Sequence, residues 1–251
     1  LAGEAVERVE VIRGPQGAAL YGADAISGVI NVQLRHDGAA DGGREATIRT
    51  SAGASGTAYA SAPALAQEHL LAVRSGSTGT SAGVTVALAT SGAFVPGASA
   101  TQLSIDAGGR DVGTRRITTA MASLRAARAD VPPNPLLAPL GGAWGALRGE
   151  GTQSLTHYTI GSTTTLTPDD AWTHRITAGL DGYRLSGLAV DLLPVPSAVD
   201  SALRATEGGA DRASVRASSV RRLAPAPGLA ATVTLLGDAA LLRDGTRAAV
   251  T

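Results

Sequence analysis

Along residues 172–184 apolar and polar side chains alternate. Trp172, His174, Ile176, Ala178 and Leu180 fall on one side, and Thr173, Arg175, Thr177, Gly179 and Asp181 on the other. This two-residue period marks a β-strand whose faces meet different surroundings. Residues 154–166 repeat it, with Tyr158, Ile160 and Leu166 opposed to His157, Thr159, Thr163 and Thr165. The intervening Thr167-Pro168-Asp169-Asp170 predicts the turn of an antiparallel hairpin. Fainter alternation predicts further strands at residues 44–52, 84–90, 116–124, 213–221 and 229–236, seven or more in all. Two stretches rich in Pro and Gly, residues 130–142 and 187–211, read as long loops.

The first 36 residues follow another pattern. Val6, Val9, Val11 and Ile12 form a β-branched run that ends at Arg13, Gly14 and Pro15. Residues 18–26 predict a short helical turn closed by Gly28, and Val29, Ile30, Val32 and Leu34 a second short strand. Residues 37–43 are a linker of Gly, Ala and Asp. No fixed-period repeat supports a solenoid or propeller.

Composition narrows the chemistry. The 251 residues carry 21 basic and 21 acidic side chains, and every basic one is Arg. Schiff-base catalysis and a P-loop lysine are therefore excluded, zero net charge argues against nucleic acid, and the absence of Cys removes disulfides and thiolate metal sites. The 32 Gly and only seven aromatic residues (one Phe, four Tyr, two Trp) imply many turns and thin packing. The most apolar late stretch, residues 229–242, is interrupted by Thr232, Thr234, Gly237 and Asp238, too soon for a membrane-spanning helix. The chain starts at Leu1 without a leader pattern, so any signal peptide is expected upstream.

Gly79-Thr80-Ser81-Ala82-Gly83 has the spacing of a hydrolase nucleophile elbow, but the β-patterned residues after it replace the helix that such an elbow requires; a hairpin loop fits Ser81 better. Gly14, Gly17 and Gly22 lack dinucleotide-loop spacing, and Pro15 removes an N–H that a phosphate needs. His36, His69, His157 and His174 show no metal-ligand spacing, and the alternation puts His157 and His174 on opposite faces. Asp106, Asp111, Asp169 and Asp170 read as turn residues beside Gly or Pro.

The run Val6-Glu7-Arg8-Val9-Glu10-Val11-Ile12-Arg13-Gly14-Pro15-Gln16-Gly17-Ala18-Ala19-Leu20-Tyr21-Gly22-Ala23-Asp24-Ala25-Ile26-Ser27-Gly28-Val29-Ile30-Asn31-Val32 closely resembles the end of the plug domain of TonB-dependent outer-membrane receptors. The resemblance covers about residues 1–36. It implies a mainly β fold: the C-terminal part of a small α+β plug (1–36), a linker (37–43), and the first part of an antiparallel, incomplete transmembrane β-barrel (44–251). In that family a plug inside a barrel gates energy-coupled uptake of a scarce, bulky ligand such as a siderophore, cobalamin or an oligosaccharide. Expected partners are TonB, through a segment outside this sequence, the transported ligand and outer-membrane lipid; no cofactor, metal or enzymatic activity is implied. Glu10 and Arg13 are the expected plug–barrel contacts, because a charged strand end buried at that boundary needs an opposite charge. Gly14, Pro15, Tyr21, Gly22 and Gly28 are the expected structural turn positions. Arg175 and Asp181, on the polar side of the best strand, are the candidate ligand contacts.

Barrels of this family have about 22 strands, whereas the 215 residues after position 36 (251 − 36) allow roughly eight to ten at about ten residues per strand plus turns. The chain is thus expected to be a fragment. A self-contained outer-membrane or secreted β-protein with a binding role is the alternative reading, and a serine hydrolase using Ser81 a remote one.

Overall fold

The computed structural model describes residues 6–14, 28–34, 42–77, 79–132, 151–195, 198–226 and 229–250. The described residues form eleven strands and no helix. β1 (Val6–Arg13) and β2 (Gly28–Leu34) make a two-stranded antiparallel sheet. The rest form one nine-stranded sheet: β3 (Arg44–Thr57), β4 (Ala60–Gly76), β5 (Thr80–Ser91), β6 (Ser99–Val112), β7 (Arg116–Val131), β8 (Gly151–Asp169), β9 (Trp172–Val195), β10 (Ala198–Ala226) and β11 (Leu229–Val250). Each strand pairs antiparallel with its neighbours in sequence, so the sheet is an open meander with β3 and β11 at its edges.

The register assigns every side chain to a face. One cross-strand row reads Thr47, Ala72, Thr85, Asp106, Ser123, Thr159, Asp181, Arg212 and Leu242. The next, one residue along each strand and therefore on the opposite face, reads Ala46, Val73, Val84, Ala107, Ala122, Ile160, Leu180, Ala213 and Leu241. The first face is polar, the second apolar. Burial inverts the soluble-protein pattern: the most buried described residues, among them Asp106 at 3% exposure, Ser104, Thr85 and Ala72, belong to the polar face. Ile48, Val73, Val84, Ile160, Leu180 and Leu241 on the apolar face are all exposed. Asp106 accepts a hydrogen bond from the Ser123 hydroxyl at 2.7 Å, which supplies part of the compensation a buried carboxylate requires.

The alternation at residues 154–166 and 172–184 is reproduced as β8 and β9, and the turn falls between them. There Oδ1 of Asp169 accepts from the backbone N–H of Ala171 and of Trp172, at 2.9 and 2.8 Å, the local bonding for which Asp is favoured in turns. Nine sheet strands also agree with the eight to ten expected. Three expectations need correction. Residues 187–211 are not a long loop: they complete β9 and begin β10. Pro194 is tolerated because it lies past Leu188, the last β9 residue paired to β8, where β9 has only β10 as a neighbour. Asp106 and Asp111 are not turn residues: Asp106 is central in β6, and Asp111 faces Thr80 near the strand's end. Two strands, β4 and β6, were not expected at all. The predicted helix at 18–26, Pro15, Tyr21, Gly22 and His36 lie outside the described residues, as does most of the predicted loop at 130–142.

A polar face, an apolar belt and a cross-strand clasp

On β7 the apolar face carries no charge from Thr118 to Ala126, between Arg116 and Arg128. Eight residue steps at about 3.3 Å cover about 27 Å of strand. At the tilt of roughly 40° usual in barrels this is about 20 Å of height, near the roughly 25 Å apolar band of transmembrane barrels. Charged pairs border the belt. At one end Arg116 binds Asp111 at 2.6 Å. At the other Arg128 pairs with Asp130 at 3.6 Å, and Asp130 also accepts from the Ser99 hydroxyl at 2.6 Å. Trp172 also stands at the first border, stacked on His174 with ring centroids 5.2 Å apart and covered by the Arg221 guanidinium 4.9 Å from its centroid. Such an amphipathic aromatic with a cation suits a membrane–water boundary.

The opposite border holds a polar cluster on the apolar face of β8, β9 and β10. Tyr158, Gly182 and Asp211 lie side by side in one row. The Tyr158 hydroxyl reaches over Gly182 and donates to Oδ1 of Asp211. Arg184 forks onto the same carboxylate, Nη1 to Oδ1 at 2.8 Å and Nη2 to Oδ2 at 2.7 Å, the bidentate geometry that makes such pairs strong. Glycine is required beneath both arms. A Cβ on Gly182 would sit 2.6 Å from the Tyr158 hydroxyl and from Asp211 Oδ1, and a Cβ on Gly209 would sit 2.9 Å from Arg184 Cδ. The cluster is a clasp across three strands. The sequence did carry a signal for it: extending the β9 alternation past Asp181 puts the charged Arg184 on the apolar side.

The sequence-derived ligand candidates share the polar face but do not converge. Asp181 lies between Thr159 and Arg212. Arg175 lies between Thr165 and Ser218, with Nε 3.4 Å from Thr165 Oγ1. Six residues separate them on one strand, about 20 Å. His157 and His174 do occupy opposite faces, and among the described residues no cluster of His, Asp and Glu could hold a metal ion. Ser81 is not in the expected hairpin loop: it is the second residue of β5, paired to Gly76 and Arg110 and buried on the polar face, and since β5 runs on as strand the nucleophile elbow has no helix. In the two-stranded sheet Glu10 pairs with Arg8 and accepts from Asn31 Nδ2 at 3.1 Å, while Arg13 is exposed at the end of β1 opposite Gly28. Gly28 has φ +132°, and a Cβ there would lie 2.6 Å from the Ile12 carbonyl oxygen, so this pairing needs glycine.

A nine-stranded antiparallel meander with a polar face, an exposed apolar belt and charged borders is the architecture of an incomplete transmembrane β-barrel. No helix among the described residues is long and apolar enough to cross a membrane, a criterion that does not bear on strands. No protein-family model and no curated protein sequence matches the chain. Among solved structures it is similar to the ferric yersiniabactin uptake receptor FyuA from Yersinia pestis, with a TM-score of 0.51 and 12% identity over 96% of this chain and 49% of that one. It is also similar to the siderophore receptor PiuA from Acinetobacter baumannii, with a TM-score of 0.49 and 11% identity over 97% of this chain and 52% of that one. The chain thus spans about half the length of these receptors, and the likeness to FyuA is one of fold.

Proposed function

We propose that this chain is part of a TonB-dependent outer-membrane receptor that takes up a scarce, bulky ligand at the expense of energy relayed from the inner membrane. The observation that carries the reading is an order of parts. A two-stranded unit bearing the plug-like sequence, Val6 to Arg13 paired with Gly28 to Leu34, is followed by a two-faced barrel-type meander. The fold it shares with FyuA supports the same reading. In this reading residues 1–36 end a plug, residues 44–251 begin the barrel wall, the apolar belt faces outer-membrane lipid and the polar face lines the lumen. Glu10 and Arg13 hold the plug to that wall, with the exposed Arg13 as the reaching arm. Transport, not catalysis, is the activity, and the ligand belongs to the siderophore, cobalamin or oligosaccharide classes.

The test is made on the full-length protein in a Gram-negative host. It is expected in the outer-membrane fraction as a heat-modifiable species, and uptake of one member of a panel of ferric siderophores, cobalamin and maltodextrins should collapse when TonB is deleted. Uptake indifferent to TonB, or a protein found outside the outer membrane, would overturn the proposal. Arg13→Ala should weaken energised uptake and expose the plug to protease. Unchanged transport with unchanged protection would remove Arg13 from that role.

A further inference from the structure

Exposed leucines need no explanation on the apolar belt, but they do on the wet face. Leu155 and Leu185 are opposed to each other on the polar face, at 43% and 41% exposure. With Ala127, Ala89 and Gln102 they line a cleft of about 420 Å³ between β5 and β9, a size in the range of small-molecule sites. The next row on the same face, two residues along each strand, is Arg125, His157 and Tyr183, each opposite the next. Cross-strand neighbours stand about 5 Å apart, so the three heads cover about 10 Å. All three can donate hydrogen bonds. Among the described residues none of these three side chains is engaged by a hydrogen bond or ion pair, although Asp106 and Asp211 elsewhere in the sheet are. The neighbouring acid, Asp181, stands opposite Arg212, and Asp244 is separated from Tyr183 by Ala210.

We infer that this cleft and the row beside it together form a binding site for an amphipathic organic anion, whose apolar or aromatic body lies on Leu155 and Leu185 and whose anionic head is held by Arg125, His157 and Tyr183, which stand next to the cleft and not in its own lining. The inference deepens the receptor reading and rests on its assignment of the polar face to a water-filled lumen. An Arg guanidinium forks onto a carboxylate or a comparable oxyanion, and the phenol and imidazole add direction. A neutral sugar would find too few acceptors in this row and too much hydrocarbon above it. The site therefore selects for charge at one end of the ligand and for surface at the other.

The experiment titrates the full-length protein in lipid nanodiscs with 2-naphthoate and with its uncharged analogue 2-naphthamide, using empty nanodiscs as the blank. Naphthoate should bind, and Arg125→Gln should raise its Kd about ten- to a hundredfold, the usual worth of a hydrogen bond to a charged group. Naphthamide should bind more weakly and ignore that substitution, and Leu155→Ser should weaken both. Tyr183→Phe, which keeps the ring, should raise the naphthoate Kd severalfold and serves if Arg125→Gln does not assemble. Equal naphthoate affinity in wild type and in Tyr183→Phe and Arg125→Gln proteins, or none in assembled wild type, would overturn the site. TonB-dependent uptake with no naphthoate binding sinks this inference alone, whereas naphthoate binding without outer-membrane location sinks the transport reading and leaves the cleft standing.

Discussion

Gly182→Ala tests the clasp directly. The new methyl carbon would lie 2.6 Å from both the Tyr158 hydroxyl and Asp211 Oδ1 and 2.7 Å from the Ala210 carbonyl oxygen. The two side chains can swing away, but a ladder carbonyl cannot. Forcing the methyl against the backbone costs about 1–3 kcal/mol, and the Tyr158–Asp211 hydrogen bond, whose acceptor is charged, is lost on top of that. Tyr158→Phe removes only the hydroxyl and leaves Asp211 forked by Arg184, so it should cost what that hydrogen bond is worth and none of the steric part. The pair must be coupled: with the hydroxyl already gone, Gly182→Ala has one clash fewer, and the double variant should be less destabilised than the sum by about 1 kcal/mol or more. Urea unfolding of the full-length protein from lipid vesicles, followed by tryptophan fluorescence, gives the four free energies of the cycle. A Gly182→Ala cost within about 0.5 kcal/mol of zero, or strict additivity in the cycle, would refute the clasp.

The assignment of faces predicts a contrast between two arginines. Ala122→Arg, in the middle of the apolar belt, should cost about 2–4 kcal/mol and reduce the heat-modifiable assembled band, while Thr163→Arg on the polar face should assemble like wild type; equal behaviour would show that the faces are misassigned. Ser123→Ala withdraws one donor from the buried Asp106, an expected loss of about 1–3 kcal/mol in urea unfolding. Asp106→Asn with Ser123→Ala should recover part of that loss, since a neutral amide is cheaper to bury than a carboxylate; no recovery would mean that charge is not what the Ser123 hydroxyl compensates.

What could be read from the sequence followed the contrast between side chains. In β8 and β9 the alternation is legible because Ile, Leu, Tyr and Trp oppose Thr, Arg, His and Asp, and the turn is legible because Pro168, Asp169 and Asp170 have no strand role. β4 was missed because Ala fills much of its polar-face side, at positions 60, 62, 64, 66 and 72, which blunts the contrast with the other side, and Leu70-Leu71-Ala72-Val73 has no period at all. β6 was missed for a related reason, since Gly108-Gly109 and two Asp residues in one strand imitate a turn. The same imitation produced the false loop at 187–211.

The Gly208-Gly209 pair shows why local rules fail here. In isolation two glycines mark a bend. In the sheet they lie in mid-strand, opposite Leu185 and Arg184, and the space over Gly209 is filled by the Arg184 side chain on its way to Asp211. Only the register between β9 and β10, set by pairs far apart in sequence, reveals what that missing side chain admits. A chain with seven aromatic residues cannot stiffen its wall with a dense aromatic girdle. It instead lays one Tyr and one Arg across glycines to tie three strands at the border of the belt, and stacks one Trp between a His and an Arg at the other. Because both devices lie across strand–strand seams, a single glycine or tryptophan substitution reaches two or three strands at once, whereas an Ala-to-Val change between them meets only open surface.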